Sequence, residues 1–390
     1  MPVKNIIVIN DFDYTQGGAS KVAIDTANLL AEKGFNCVFF SVVHSETSSL
    51  ATSVKKVTLN QKEFLKSNNK IVGALKGLRN YDVEQKLNEL LDGFSNVDTI
   101  VHVHGWTKAC SSVVFRVLKK RKFKTVLTLH DYFAYCPNGG MYNFNTRKAC
   151  NLKPCSLQCI ATNCDSRNYF FKVYRLVRQF VYRCDMDSHY INYIFVSEFL
   201  KNKFYHNFKI EYKSYKVLTN PCSFSCSKKD KVYDFVYVGR TDKEKGIDLY
   251  VKLAKTLLQY KFLIVGNQLP GSLQQNVVAT GWVSEDDVEE YLSMSRCLVL
   301  PSLWPETYGL NVFKAKKMGL QCIVSSNTGA ADIVDNNDIV FEQGNFEDLL
   351  EKVKCDSESY MQVDITDGFY SNHDDYIEKL TSFYDEVLNT

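Results

Sequence analysis

The chain has 390 residues, more than one hydrophobic core usually fills, so two domains are expected. Its 45% hydrophobic and 23% charged residues are typical of a globular protein, and its few glycines and prolines exclude the fibrous and disordered classes. A net charge of +3 argues against a polyanion-binding surface over the whole molecule, so no nucleic-acid partner is expected.

The chain opens on the sequence MPVKNIIVINDFD, whose apolar run is too short for a secretory segment or a membrane span. We therefore expect a cytoplasmic protein. Most of its 13 cysteines should then be free thiols or metal ligands rather than disulfides.

Short apolar runs separated by helix-length segments recur along the first half of the chain. Such runs are typical of strands buried on both faces, as in parallel sheets. They occupy residues 5–10, 36–41, 99–104, 125–130 and 193–197. Between them, residues 21–32 and the stretch from Val83 to Phe94 carry apolar side chains at helical spacing. This pattern predicts βαβ architecture.

The same rhythm restarts after the polar stretch 220–230, which predicts a linker. Four more strands are predicted at residues 233–239, 261–266, 296–302 and 321–326. We expect an α/β protein with two Rossmann-like, doubly wound domains facing a central cleft, over residues 1–222 and 223–370. Residues 371–390 form an amphipathic helix that is predicted to dock on the N-terminal domain.

A pair of glycines, Gly17 and Gly18, follows the first strand and opens a helix. In open α/β sheets, ligands bind outside the carboxyl ends of the strands. Glycines let the backbone approach a diphosphate closely, and a helix N-terminus offers free amides to an anion. A flexible strand-to-helix loop explains the pair equally well.

Two cations, Arg240 and Lys245, follow the first strand of the second domain. Together they could neutralise a departing diphosphate through charge-assisted hydrogen bonds. The alternative is an ordinary solvated loop.

The motif PETYGLN places Glu306 before a helix that begins at Gly309 and Leu310. The helix amides suit a phosphate, and the carboxylate could accept hydrogen bonds from sugar hydroxyls. The simpler interpretation is that Glu306 and Thr307 cap the helix.

Two histidines, His104 and His130, end strands of the first domain. Either could reach the cleft, although a histidine in this position more often satisfies a neighbouring backbone group.

Four segments together resemble the family 4 retaining glycosyltransferases, which have the two-domain GT-B fold. They are QGGASKVA, VGRTDKEKGIDL, ATGWVSEDDVEEYLSMSRCLVLPSLWPETYGL and SSNTGAADIV, in this order. The resemblance implies a catalytic set of Glu306, His130, Arg240 and Lys245. It also implies that the donor nucleotide-sugar contacts Gly17, Gly18, Arg240, Lys245, Gly266, Trp282, Val283, Glu306, Thr307, Tyr308, Gly309, Leu310, Asn311 and Lys314.

The reaction that this resemblance implies is hexosyl transfer with retention, from a nucleotide-diphosphate-sugar to a glycan or lipid-linked glycan acceptor in polysaccharide or glycoconjugate synthesis. The departing phosphate helps to deprotonate the acceptor, so neither a protein nucleophile nor a catalytic cofactor is expected. The strings DFD (11–13) and DMD (185–187) are interpreted as acids of loops or helix surfaces rather than as metal ligands.

One position departs from the family pattern, because Lys314 stands where a second Glu is usual. A lysine cannot accept hydrogen bonds from a ribose. Asn311 could hold the ribose instead, the donor could bind weakly, or activity could be lost. The alternatives for the whole protein are a sugar-nucleotide epimerase and a non-catalytic sugar-nucleotide-binding partner.

Five cysteines lie close together in an insertion at about residues 136–164: Cys136, Cys150, Cys155, Cys159 and Cys164. A loop without its own core gains stability from thiolate ligation, so a structural zinc site formed by Cys136, Cys150, Cys159 and Cys164 is one hypothesis. Buried free thiols are the alternative.

The stretch 168–185 mixes arginines and lysine with large aromatic residues. Such a helix suits peripheral contact with the inner face of a membrane. The competing interpretation is a helix that packs its aromatic face on the domain and leaves its cations in solvent.

Overall fold

Two parallel sheets, each covered by helices on both faces, form the protein in a computed structural model that describes residues 3–208, 213–227, 229–267, 272–355 and 368–390. The strands are β1 Asn5–Phe12, β2 Asn36–Val43, β3 Lys55–Thr58, β4 Thr99–Val103, β5 Lys124–Leu129, β6 Tyr142–Asn143, β7 Lys148–Ala149, β8 Ile191–Phe195, β9 Tyr215–Val217, β10 Ser223–Cys226, β11 Tyr233–Val238, β12 Phe262–Val265, β13 Val277–Gly281, β14 Ser295–Leu300, β15 Gln321–Ser325, β16 Ile339–Phe341 and β17 Gly368–Ser371.

The α-helices alternate with these strands, as the apolar periodicity predicts. They are α1 Gly18–Glu32, α2 Lys70–Leu78, α3 Tyr81–Leu91, α4 Val113–Arg121, α5 Leu157–Ala161, α6 Tyr169–Asp185, α7 Glu198–Phe208, α8 Ile247–Thr256, α9 Glu285–Ser293, α10 Leu310–Lys317, α11 Phe346–Cys355 and α12 His373–Asn389.

The first sheet has the strand order β3-β2-β1-β4-β5-β8-β9 and is parallel throughout. Alternate residues of its strands enter different cores, because successive side chains of a strand point to opposite faces. Ile7 and Ile9 pack with α3 and α4, whereas Ile6 and Val8 pack with α1 and α12. Near-continuous apolar strands follow from this burial on both faces.

The second sheet repeats the design, with the parallel order β13-β12-β11-β14-β15-β16. On one face, α8 and α11 cover Phe235 and Ile264, and on the other, α9 and α10 cover Val236 and Leu263. The carboxyl ends of β11 and β14 therefore carry the loops on which Arg240 and Glu306 lie.

Two strands and the last helix link the domains. β10 and β17 form an antiparallel pair in which Ser223 lies opposite Ser371. From there α12 packs on the N-terminal domain. Tyr376 hydrogen bonds with Thr26 of α1 at 2.8 Å, and Tyr384 hydrogen bonds with His102 of β4 at 2.6 Å. The chain thus returns to the N-terminal domain after completing the second sheet.

The sequence interpretation is right about the buried strands and incomplete at the edges. The short strands β3, β9, β13 and β16 and the pair β10–β17 were not predicted, because strands at sheet edges carry polar residues and lack a continuous apolar run. The stretch 220–230, predicted to be a linker, contains β10, and its residue 228 lies outside the described residues.

The acids of the DFD and DMD strings do not all lie at the surface, contrary to our interpretation. Asp11 and Asp13 are buried, and Asp11 accepts hydrogen bonds from the amides of Ala109 and Cys110, both at 2.8 Å. Asp185 is buried and pairs with Arg116 at 2.7 Å. These carboxylates hold loops and helices together.

Within the described ranges, none of the helices combines the length and the apolar character that crossing a bilayer requires.

Candidate active site

The segment Pro305–Thr307 joins the carboxyl ends of the two sheets. Tyr132 of the first domain donates a hydrogen bond to the Pro305 carbonyl at 2.9 Å, and the Thr307 hydroxyl donates to the His130 carbonyl at 2.9 Å. Ser197, which follows β8, donates to the Thr307 carbonyl. Glu306 is therefore held directly at the boundary between the domains.

Glu306 forms a partly buried ion pair with Lys245. Lys245 Nζ lies 3.0 Å from Glu306 Oε1, and the same oxygen accepts a hydrogen bond from the Ser302 hydroxyl. Burial raises the pKa of Glu306, but Lys245 and Ser302 outweigh it, so that the pKa lies below its ordinary value. The carboxylate is consequently ionised at neutral pH although little of it is exposed.

Arg240 leaves the same strand-end loop as Lys245 but has different partners. Among the described residues, its guanidinium pairs with Asp242 at 2.6 Å and lies 3.9 Å from Glu244, rather than contacting Glu306. Its side chain is 58% exposed. Its backbone is held in place by Tyr237, which donates a hydrogen bond to the Arg240 carbonyl.

Tyr237 lies between these charged groups. Burial raises its pKa well above the ordinary value, and the nearby Glu306 and Asp242 carboxylates raise it further. Because Glu306 and Arg240 both influence this ring, they belong to one charged neighbourhood at the end of β11. The structure thus brings Lys245 and Glu306 into contact and leaves Arg240 available to solvent beside them.

Two helix N-termini supply amide donors near the domain boundary. In the part of the chain that the structure describes, neither α1 nor α10 has a side-chain cap or an acid in its first turn. Gly17 has φ 153°, and a Cβ at Gly17 or Gly18 would meet open space. Gly309 has φ 99°, and its Cβ would lie 2.8 Å from that of Ala330, so glycine is required there. Both N-termini can accept an anion.

The histidines at the ends of β4 and β5 form a buried row. His104 Nδ1 lies 3.1 Å from His130 Nε2, and the rings of His102 and His104 are 4.1 Å apart. Burial lowers the pKa of His130 to about 4 and that of His102 to about 3. His130 is therefore a neutral hydrogen-bonding group at neutral pH rather than a cation.

Asp131 is a candidate that the sequence interpretation missed. It follows His130 directly, and its carboxylate accepts a hydrogen bond from the Phe133 amide at 2.8 Å. Burial raises its pKa to about 6, although the Phe133 amide lowers it. An acid that titrates near neutrality at the end of β5 can exchange a proton at physiological pH. The acid beside the histidine in LHDYF was the available signal.

Three predicted donor contacts lie on the loops after β12 and β13. Gly266 packs against the backbone, since its Cβ would lie 1.9 Å from the Gly239 carbonyl oxygen. Trp282 is 76% exposed, whereas Val283 packs partly on the core. Close backbone packing thus accounts for Gly266 without a ligand, and Trp282 is free to contact one.

The side chains at the start of α10 pack against neighbouring parts of the second domain. Tyr308 is buried, with its ring 6.0 Å from that of Phe313, so only its backbone could reach a donor. Leu310 is the first residue of α10 and packs partly on the core. The Asn311 amide donates to the Val238 carbonyl at 3.2 Å, which ties α10 to the end of β11.

Lys314 is buried in a network of carboxylates. Its Nζ lies 2.7 Å from Glu285 Oε1 and 2.8 Å from Glu289 Oε1, both on α9. Burial lowers the pKa of Lys314, but the two carboxylates outweigh it and the pKa is raised. The other oxygen of Glu285 lies 3.4 Å from Lys21 Nζ on α1. Lys314 therefore takes part in a chain of ion pairs that crosses from one domain to the other.

The cysteine-rich insertion is held by hydrogen bonds around Lys172. Lys172 Nζ donates to Cys164 Sγ at 3.1 Å and Cys159 Sγ at 3.4 Å, and the Cys136 thiol donates to Asn138 Oδ1 at 3.1 Å. Over the described ranges, no group of three or more His, Cys, Asp or Glu side chains is arranged to hold a metal ion. Hydrogen bonds account for the packing of Cys136, Cys159 and Cys164, and the zinc site formed by Cys136, Cys150, Cys159 and Cys164 stays a prediction.

Sequence comparison finds a family match within the second domain. Residues 223–355 match the family described as Glycosyl transferases group 1. The matched range contains Arg240, Lys245, Glu306 and Lys314, so the Lys245–Glu306 pair and the pairs of Lys314 with Glu285 and Glu289 lie within it.

Two relatives come from the cps region of Klebsiella pneumoniae. An uncharacterized 41.2 kDa protein is 25% identical over 260 residues, covering 62% of this chain and 71% of that protein. An uncharacterized 42.6 kDa protein is 24% identical over 341 residues, covering 80% of this chain and 82% of that protein.

Solved structures share the fold over almost the whole chain. Sucrose-phosphate synthase from Thermosynechococcus elongatus superposes with a TM-score of 0.65 at 13% identity, covering 99% of both chains. The Anabaena protein HepE, in complex with UDP and glucose, superposes with a TM-score of 0.60 at 13% identity, covering 98% of this chain and 100% of that chain. The predicted fold class is confirmed: two Rossmann-like domains in the arrangement of GT-B glycosyltransferases.

Proposed function

We propose that the protein is a retaining glycosyltransferase that moves a sugar from a nucleotide-diphosphate-sugar to a glycan or lipid-linked glycan acceptor in polysaccharide or glycoconjugate synthesis. The observation that carries the proposal is the Lys245–Glu306 pair at the domain boundary. The match of residues 223–355 to Glycosyl transferases group 1, the cps-region relatives and the complex of HepE with UDP and glucose support it.

In this proposal the cations of the second domain receive the leaving group. Breaking a sugar-diphosphate bond leaves negative charge on the diphosphate and builds positive charge on the sugar ring. Lys245, Arg240 and the amides at the start of α10 would stabilise the diphosphate by preorganised charge and hydrogen bonds. These groups need no metal ion to do so.

The other residues would position the sugar and the acceptor. Glu306 is ionised and can accept hydrogen bonds from sugar hydroxyls once the diphosphate competes for Lys245. The neutral His130 can hydrogen bond with the sugar, while the departing phosphate takes the acceptor proton. The open space at Gly17 and Gly18 leaves room for the donor beside α1.

The buried ion pairs of Lys314 suggest how the chain manages without a second acid on α10. The ammonium is satisfied by Glu285 and Glu289, so it would not repel or displace the donor. Asn311 remains the polar side chain of α10 that could contact the ribose by exchanging its bond to Val238.

A donor panel tests the proposal. Uridine, guanosine and adenosine diphosphate sugars are incubated with the full chain and a glycan acceptor, and released nucleotide and labelled glycan are both measured. We expect one donor to give both products. Epimerised sugar from donor alone would indicate an epimerase, and donor binding without either product would indicate a non-catalytic binding protein.

A further inference from the structure

The apolar side of α6 is turned away from the protein. Its buried residues are largely polar: Lys172, Leu176, Gln179, Tyr182 and Asp185. Its exposed residues include Phe170, Val173, Val177 and Phe180, which recur at intervals of three and four and so form one stripe. This is the reverse of a helix that covers a core, so the packed-aromatic interpretation of residues 168–185 is wrong for these four residues.

Hydrogen bonds fix this orientation. Arg178 donates to the Thr107 carbonyl at 2.6 Å, Arg175 pairs with Asp165 at 2.9 Å, and Gln179 donates to the Ala134 carbonyl at 2.9 Å. The cations that the sequence suggested for solvent therefore bind the domain. Turning the helix over would leave these buried groups without partners, which is costly.

The inner face of α6 also locates the helix. Thr107 lies on the loop after β4, just beyond His104, and Ala134 lies on the loop after β5, just beyond His130. The inner face of α6 therefore packs on the carboxyl-end loops of the first sheet, and the exposed stripe lies on the opposite side of the helix.

Helix α2 extends the apolar surface. Tyr174 of α6 donates to the Ala74 carbonyl of α2 at 2.7 Å, which places the two helices side by side. Close approach is possible because a Cβ at Gly77 would lie 2.2 Å from the Tyr174 hydroxyl. We call the combined exposed set the α2–α6 face, and it consists of Ile71, Leu75, Phe170, Val173, Val177 and Phe180.

Basic residues predominate among the charged residues of α2 and α6. Residues 70–79 and 167–184 contain no acid, and Lys70, Arg167 and Arg183 lie at the helix ends. The neighbouring acids Glu63 and Asp82 pair with Lys66 at 2.6 Å and Lys76 at 2.8 Å. An apolar surface with a cationic rim complements anionic lipid headgroups above acyl chains. A second copy would bring like charges together instead.

We propose that the α2–α6 face docks on the surface of a bilayer that contains anionic lipids, with α6 lying in the plane of the interface. The role of this contact rests on the proposed function, because a lipid-linked acceptor held in the same bilayer would then reach the cleft beside His130. The docking itself requires no donor and no turnover.

The test is flotation of the full chain with vesicles of phosphatidylglycerol and phosphatidylethanolamine, compared with vesicles of phosphatidylcholine. We expect binding to the anionic vesicles that weakens as salt is added, because headgroup attraction is screened. The double variant Phe170→Glu/Phe180→Glu should lose at least about tenfold in binding, since both side chains leave the apolar stripe. The matched control is Leu258→Glu, at an apolar position of the second domain that is 65% exposed.

Three results would overturn the docking proposal. In the first, the wild-type protein does not float with anionic vesicles. In the second, the double variant floats as well as the wild type. In the third, neither protein binds vesicles, and the wild type is a dimer whereas the variant is a monomer. The last would identify the stripe as a contact between two copies. An unchanged melting temperature of the variant shows that its loss is not unfolding.

The failure of docking and the failure of the proposed function are distinguishable. Donor turnover with a soluble acceptor, measured without vesicles, should be equal in the wild type and the double variant. Loss of flotation with full turnover supports docking. If the wild type floats but neither the wild type nor the double variant turns over donor, only the transferase proposal is refuted.

Discussion

Lys245 lies 3.0 Å from Glu306 across the carboxyl edge of the second sheet, and this pair holds an ionised carboxylate where the two domains meet. The two residues follow different strands, β11 and β14, which are neighbours in the sheet. A ligand that draws Lys245 towards a diphosphate would release Glu306 for a sugar hydroxyl. The pair thus couples the sites proposed for the two halves of the donor.

Glu306→Gln should lower kcat/KM for sugar transfer by at least about a hundredfold, because the amide cannot supply the charge and acceptor capacity of the carboxylate. Released nucleotide measures the rate. Glu347→Gln, at an exposed glutamate of the same domain, is the control and should keep full activity. Unchanged kcat/KM in a folded Glu306→Gln variant would remove Glu306 from the site.

The Lys245–Glu306 pair should stabilise the fold only above acidic pH. The folded-state pKa of Glu306 is below its ordinary value, so its contribution is present above that ordinary value and is lost as the pH falls through the folded pKa. The difference in unfolding free energy between wild type and Glu306→Gln should be constant from about pH 6 to 8 and shrink below about pH 4. Urea denaturation across this range measures it, and a difference that grows at low pH would contradict the assignment.

Asp131 should act in the opposite sense. Its pKa is raised to about 6, so the folded protein resists ionisation of this carboxyl and loses stability as the pH rises from the ordinary value of aspartate, about 4, to about 6. Asp131→Asn should therefore be more stable than wild type by about 3 kcal/mol at pH 8, with no difference well below pH 4. Asn can still accept the Phe133 hydrogen bond.

Thermal unfolding at the two pH values tests the Asp131 prediction. Asp230→Asn, at an exposed aspartate, is the matched control and should show no pH-dependent gain. A gain for Asp131→Asn that is equal at low and high pH would show that ionisation is not the cause.

Lys314→Met should destabilise the protein by about 2 kcal/mol, because it leaves Glu289 and Glu285 without their shared cation. Lys314→Glu should be worse, since three carboxylates would then meet. Chemical denaturation measures both, and Lys317→Met on the exposed side of the same helix is the control. Restoration of stability by adding Glu289→Gln to Lys314→Met would assign the loss to the unpaired acid, whereas no loss in either single variant would rule out a structural role for Lys314.

Chelation should leave the cysteine-rich insertion intact. Lys172 and Asn138 hydrogen bond with its buried thiols, and these bonds require no metal ion. We expect purified protein to contain far less than one zinc per chain, with the same melting temperature before and after treatment with a chelator. Stoichiometric zinc together with a chelator-induced fall in melting temperature would contradict this packing.

The buried strands could be predicted because burial on both faces of a parallel sheet requires continuous apolar runs, as in β1 and β11. The glycines and charged residues of the site could also be located, because they follow these strands directly. Short edge strands such as β3 carry no such run, since one side faces solvent.

The residue types and their positions after the predicted strands therefore determined which loops carry the candidate site residues. Hydrophobic periodicity determined which segments become helices. Only the tertiary structure decided which groups meet: that Lys245 pairs with Glu306, that Lys314 is neutralised by α9, and that Lys172 hydrogen bonds with Cys159 and Cys164. It also decided which side of α6 faces inward. Periodicity reveals a stripe on a helix, but the burial of that stripe depends on partners distant in sequence, and here Thr107 and Ala134 bind the polar side.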